Sequence, residues 1–179
     1  GSAMICPEFR HHQDGLELAD SYTFNPHKWL LTNFDCSVFW VADRRPLIQT
    51  LGILPPYLRD TTSETGQVID YRDWHVPLGR RFRALKLWCG LPSSRAGGVR
   101  PYTRQHVAWA QERTTRIDAE PDLVLVAPTP FALVSFRHRG GNERTDTLAR
   151  ELNNSGQVYV TPSTVGETRF IRVSIGSST

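Results

Sequence analysis

Residues 19–37 read Ala19-Asp20-Ser21-Tyr22-Thr23-Phe24-Asn25-Pro26-His27-Lys28-Trp29-Leu30-Leu31-Thr32-Asn33-Phe34-Asp35-Cys36-Ser37. Apolar and polar side chains alternate over residues 19–24, which is the period of a strand. Asn25-Pro26 ends that strand, because proline has no N–H to give a ladder and holds the preceding residue extended. The break delivers His27 and Lys28 to a strand end. In α/β folds, ligand-binding groups gather there, outside the sheet. Lys28 stands among aromatic and apolar neighbours. Burial and a nearby cation both disfavour an ammonium, so a lysine enclosed in this way titrates lower and becomes a nucleophile toward an aldehyde. The plainer reading is a strand-end lysine with its stem packed and its head in water.

Working outward, residues 35–42 predict a second strand, rich in Val, Phe and Trp. Its second half is apolar on both parities, as in a strand covered on both faces. Residues 5–18 read as a loop and short helix, with a turn set by Pro7 and closed by Gly15. Pro46 fits the first turn of a short helix. Residues 50–69 have neither period, carry prolines and glycines, and predict a long loop of the kind that is functional or disordered. Residues 70–79 are a connector. Residues 80–88 predict a helix from the recurrence of Phe82, Leu85 and Trp88. Residues 89–98 hold a proline and three glycines, costly in a helix interior, so a break is expected there. A helix then runs over residues 101–117. Residues 123–127, 131–137, 157–161 and 169–175 predict strands, and residues 143–152 a helix with Asn142 as its N-cap. Strand, strand, helix, strand, strand is the order of a small α+β domain.

Composition narrows the class. The 179 residues are 39% hydrophobic and 22% charged, ordinary for a globular protein. The net charge is +3 and the arginines are scattered, which gives nucleic-acid binding no support. No apolar run approaches about 20 residues, so no membrane-spanning helix is expected. Three cysteines, Cys6, Cys36 and Cys89, are widely spaced without a CxxC pair. That pattern argues against a disulfide framework or zinc site and fits a reduced, cytoplasmic protein. His11-His12 is the one close pair among six histidines, and two exposed loop residues explain it.

The lysine segment resembles that of the pyridoxal-phosphate-dependent group II amino-acid decarboxylases, in the aromatic-L-amino-acid decarboxylase branch. The likeness is carried by Ile5-Cys6-Pro7-Glu8-Phe9-Arg10, Asp20-Ser21, Phe24 to Leu31, and Asn33 to Ser37, then by Asp70-Tyr71-Arg72-Asp73-Trp74 and Pro77-Leu78-Gly79-Arg80-Arg81-Phe82-Arg83. The resemblance implies an α/β protein of the type I PLP-dependent aminotransferase-like fold. Residues 1–100 would be the end of the cofactor-binding large domain, and residues 101–179 a small C-terminal α+β domain, incomplete. It implies a Schiff base between Lys28 and pyridoxal 5′-phosphate, which supplies the electron sink. Asn25 and His27 would then lie near the cofactor phosphate, where an amide and an imidazole can donate hydrogen bonds. A turn-forming asparagine is the alternative for Asn25.

By the same resemblance Tyr57, on the long loop, is the acid that protonates the substrate carbon after CO2 leaves. Aldehyde-forming relatives tend to have phenylalanine there, so tyrosine favours simple decarboxylation. Phe34 and Gly79 would line the pocket for an aromatic ring, glycine leaning toward the larger ring. Trp29 suits core packing better, and Arg72 and Arg172 suit structural ion pairs better than substrate carboxylates. The implied substrate is an aromatic L-amino acid, and the intact protein a homodimer. The carboxylate partner of the pyridine nitrogen would lie upstream of Gly1, as would most of the phosphate cradle. Two alternatives stand beside decarboxylation to the amine. One is a related decarboxylase that forms an aldehyde or takes a non-aromatic amino acid. The other is an inactive truncated remnant.

Overall fold

The strand that leads to the lysine is β1, Ser21–Phe24, and it pairs antiparallel with β2, Val38–Val41. Ser21 faces Val41 and Phe24 faces Val38, so the residues between Phe24 and Val38 form one long excursion from the end of a hairpin. The computed structural model describes residues 1–52, 69–90 and 95–176 of the chain. Tyr57 and most of the predicted long loop fall outside the described residues.

Tyr22, Phe24 and Trp40 hold the hairpin together. Their ring centroids lie 5.8 Å (Tyr22–Phe24), 6.1 Å (Tyr22–Trp40) and 5.8 Å (Phe24–Trp40) apart. Cross-strand aromatic contact of this kind stabilises an antiparallel pair. The expected two-face cover of β2 is not found: Phe39 and Trp40 are each 55% exposed. Among the described residues β1 is the sole partner of β2, and no second layer closes over it. Before the hairpin come three 3-10 turns, Ser2–Ile5, Pro7–Gln13 and Leu16–Leu18. Gly15 takes φ +90° between the last two, a backbone that glycine adopts without a steric penalty. After it, Pro46 enters helix α1, Arg45–Leu51, in its first turn as expected.

Helix α2 is Arg83–Gly90. The stripe that predicted it does not form a core: Phe82, Leu85 and Trp88 are 75%, 51% and 72% exposed. Helix α3 is Arg95–Ala119 and includes Pro101. The predicted break therefore does not extend to the glycine pair, since Gly97 and Gly98 lie inside α3. A long helix can carry two glycines at about 1 kcal/mol each. Pro101 has no N–H to give the i−4 carbonyl, so the helix carries one hydrogen bond fewer there.

The chain divides into two compact units, Gly1–Met4 with Glu8–Ser93, and Ile5–Pro7 with Ser94–Thr179. In the second, an antiparallel sheet runs in the order β3-β4-β6-β5, built from Leu123–Leu125, Leu133–His138, Thr168–Ser174 and Thr161–Val165. Helix α4, Asn142–Asn154, connects β4 to β5. Ile171 and Val134 are fully buried, with Phe136, Ala149 and Thr145 beside them in the core. Among the described residues of α3, Val99, Thr103, His106, Ala110 and Ile117 are buried, at the three-, four- and seven-residue spacing of one helix face. The segment Ile5–Pro7 is tied to this unit by Arg100, whose Nε donates to Ile5 O at 2.8 Å.

Two local expectations are corrected. The strand expected at residues 157–161 is β5, Thr161–Val165, instead. Asn153 pins the earlier segment: its Nδ2 donates to Val160 O at 3.1 Å and its Oδ1 accepts Val160 N–H at 2.7 Å. Those bonds use the backbone groups a strand would need. Asn142 is not the N-cap of α4. That place belongs to Gly141, while the Asn142 side chain donates to Glu167 O at 2.8 Å and accepts Arg169 N–H at 3.0 Å.

Candidate active site

Beyond Phe24 the backbone turns sharply. Lys28 N–H bonds Asn25 O at 3.1 Å, Leu31 N–H bonds Lys28 O at 3.3 Å, and Thr32 N–H reaches back to Pro26 O at 3.3 Å. Pro26 is buried at the centre of this turn, and Leu31 takes a left-handed φ of 55° to close it. The chain then returns through Phe34 and Asp35 to β2. Asp35 anchors the return through ion pairs to Arg81 and to Arg83, the latter at 2.9 Å. Desolvation alone would raise the Asp35 carboxyl; its backbone hydrogen bond and the two arginines outweigh that and hold it below the usual carboxylate range.

The turn and its return strand meet at Asn25 and His27. His27 N–H bonds Cys36 O at 3.3 Å. His27 Nδ1 lies 2.7 Å from Cys36 O and 3.0 Å from Cys36 N, so the backbone of one residue offers it both a carbonyl acceptor and an N–H donor. The ring is edge-on to Phe34, with centroids 4.9 Å apart at 66°. Ser37 Oγ donates to Asn25 Oδ1 at 2.6 Å. That occupies one arm of the planar amide and leaves the two Nδ2 N–H donors on the other. With Nδ1 engaged, the imidazole has Nε2 left to present.

Lys28 is exposed on this turn, against the expectation that apolar neighbours in sequence would enclose it. The turn projects from the strand end, so sequence neighbours do not become a surrounding wall. Phe34 is 82% exposed, and a side chain at Gly79 would meet open space. Contacts among the described residues thus bring Phe34 to His27 and Ser37 to Asn25, with Lys28 bonded to Asn25 in the turn. They do not join Gly79 to that group. Arg72 pairs with Asp70 at 3.2 Å, as a structural role requires, whereas Arg172 is exposed on β6. Trp29 is half-buried. A separate cleft of about 400 Å³ in the second unit, lined by Asp146, Arg150, Asn153 and Arg169 among others, contains none of the predicted site residues.

Sequence reasoning missed Cys36 and Ser37 as functional supports. The signal available was their place at the foot of β2, directly after an acidic residue that anchors the return. The residues present fit a phosphorylated aldehyde: an exposed amine for the carbonyl, and beside it an amide with free N–H donors and an imidazole with one nitrogen uncommitted.

An exposed amine beside an amide and an imidazole at a strand end is the donor set that a phosphorylated aldehyde cofactor in an α/β protein would require. Comparison with known proteins specifies the family. The pyridoxal-dependent decarboxylase conserved domain matches residues 1–139, and the chain belongs to that family. Aromatic-L-amino-acid decarboxylase of Rattus norvegicus is 39% identical over 179 residues, covering 100% of this chain and 37% of the relative. Phenylacetaldehyde synthase of Arabidopsis thaliana is 40% identical, covering 99% and 38% respectively. The solved structure of Oryza sativa TDC with PLP and tryptamine superposes with a TM-score of 0.88 at 38% identity, over 99% of this chain and 38% of the other. The fold is that of the PLP-dependent decarboxylases, and the family's cofactor is pyridoxal phosphate. The chain spans about 37% of the length of the curated relatives it matches. Among the described residues, no helix is long and apolar enough to cross a membrane.

Proposed function

We propose that this chain carries the lysine-bearing part of the active site of a PLP-dependent carboxy-lyase that converts an aromatic L-amino acid, Dopa-, tyrosine- or tryptophan-like, to its amine and CO2. The observation that carries the reading is the turn at residues 25–37, where an exposed Lys28 adjoins an amide and an imidazole held by Ser37 and by the Cys36 backbone. In this reading Lys28 Nζ would be the amine that holds the cofactor's aldehyde. Asn25 Nδ2 and His27 Nε2 hold the phosphate and so fix the ring's orientation. Bound, pyridoxal phosphate accepts the electron pair left on the α-carbon when CO2 departs. Tyr57, outside the described residues, returns the proton to that carbon. Phe34 and Gly79 form part of the wall for the substrate's ring.

The first unit is then the end of the cofactor-binding domain and the second the small C-terminal domain. The enzyme would be a cytoplasmic homodimer. Cys6 and Cys36 are buried thiols, which agrees with a reducing compartment. Aldehyde formation is the second reading, favoured by the 40% identity to a phenylacetaldehyde synthase; Tyr57 speaks for the amine. The test is absorbance with added pyridoxal 5′-phosphate, followed by borohydride reduction and peptide mapping. A visible band with label fixed on Lys28 supports the proposal, and product analysis then separates amine from aldehyde. Label on Lys86, the other lysine of this sequence, in place of Lys28 sinks it.

A further inference from the structure

We propose that Ser37 is a positioning residue for cofactor binding: its hydroxyl sets the direction in which the Asn25 amide presents its N–H donors to the phosphate. The inference rests on the reading of Asn25 as a phosphate ligand. An asparagine amide has two nearly isosteric arms of opposite polarity. Turned one way it offers two donors to an anion; turned the other way it offers an oxygen lone pair and repels it. Ser37 Oγ lies 2.6 Å from Asn25 Oδ1 and donates to it. A hydroxyl can also accept, so Ser37 can satisfy either arm. With an anion on the far side, only the observed arrangement leaves every partner satisfied.

Ser37 is itself held where it is needed. It stands immediately before β2, whose first residue, Val38, pairs with Phe24, and Thr23 Oγ1 donates to Val38 O at 2.9 Å. The preceding residue, Cys36, holds the His27 ring through its backbone N–H and carbonyl. Two consecutive residues of the return strand thereby orient both proposed phosphate donors. Ser37 is exposed, so removing its hydroxyl opens no cavity, and a loss on substitution reports orientation and not packing.

The test is a set of absorbance titrations of the full natural polypeptide carrying these residues, with pyridoxal 5′-phosphate and with phosphate-free pyridoxal. The readout is the ratio of the two affinities, which isolates the phosphate's contribution without reference to turnover. Ser37→Ala is expected to lower that ratio about five- to tenfold, the size of one hydrogen bond's net contribution. Ser37→Thr, which keeps the hydroxyl, should stay within about twofold. In an Asn25→Ala background, Ser37→Ala should have no further effect, since the amide it orients is gone. If Asn25→Ala lowers the ratio and Ser37→Ala does not, the positioning role is refuted while the phosphate reading stands. Equal weakening of both ligands by Ser37→Ala refutes it too, as a general structural effect. If Asn25→Ala leaves the ratio unchanged, the phosphate reading fails and takes the proposal with it.

Discussion

Replacing Ile171 with alanine should show whether the second unit has a core of its own. Ile171 is 0% exposed, on β6 between β4 and β5, opposite Phe136 on one side and Pro162 on the other. The substitution removes three buried carbons, worth about 2.4 kcal/mol at about 0.8 kcal/mol each. The residual cavity raises the cost to about 3–4 kcal/mol, because strands held on both sides cannot collapse inward. For a domain of about 60–100 residues, each kcal/mol moves the midpoint by about 4–8 °C, so thermal unfolding should shift down by at least about 12 °C. Val165→Ala is the control: Val165 ends β5 and is 71% exposed, and the change should cost no more than about 0.5 kcal/mol. Far-UV circular dichroism with urea and with heat measures both. Equal small effects at the two positions would refute the assignment of Ile171 to a well-packed centre.

Other outcomes follow from the same contacts. Burial pushes the His106 imidazole below its usual 6.5; the unfolded chain therefore takes up the proton first, and stability contributed by neutral His106 is complete above about pH 6.5 and lost as pH falls below it. Urea midpoints across that range should fall less steeply in His106→Gln. Asn142→Asp keeps a good N-cap residue but loses the donor to Glu167 O, so it should destabilise by about 1 kcal/mol. A neutral or stabilising result would restore the N-cap role. Lys28→Ala should abolish borohydride fixation of pyridoxal phosphate at the peptide containing residue 28, read by mass spectrometry. Tyr57→Phe should cut amine formation at least about 100-fold, the scale of lost general-acid catalysis, with aldehyde appearing in its place; unchanged amine output would remove Tyr57 from the proton path.

The strand end and turn that carry the candidate site were legible in the sequence. Asn25-Pro26 ended β1 where proline must end a strand, and the lysine followed at the strand end. The order of elements in the second unit was also legible, because its strands and helix carry distinct periods. Misreadings arose where one side chain captured the backbone. Val158 and Tyr159 look like strand residues, yet they are 47% and 87% exposed, since Asn153 holds Val160 out of the ladder. Asn142 looks like a cap, yet it bridges Glu167 and Arg169 across sequence distance. Helix α2 shows the converse: its period was real, but period reports a stripe, not what covers it.

Local sequence determined the residue types proposed to carry the chemistry, the turn that separates them from the sheet, and the family to which the chain belongs. These depend on neighbours within a few positions, where steric and hydrogen-bonding preferences act directly. Only the tertiary structure decided that Lys28 is exposed, that Cys36 holds the His27 ring, and that Ser37 meets Asn25. Those contacts exist because β2 returns antiparallel beside β1, bringing residues 36–37 against residues 25–27. Chain reversal creates proximity that no local pattern encodes.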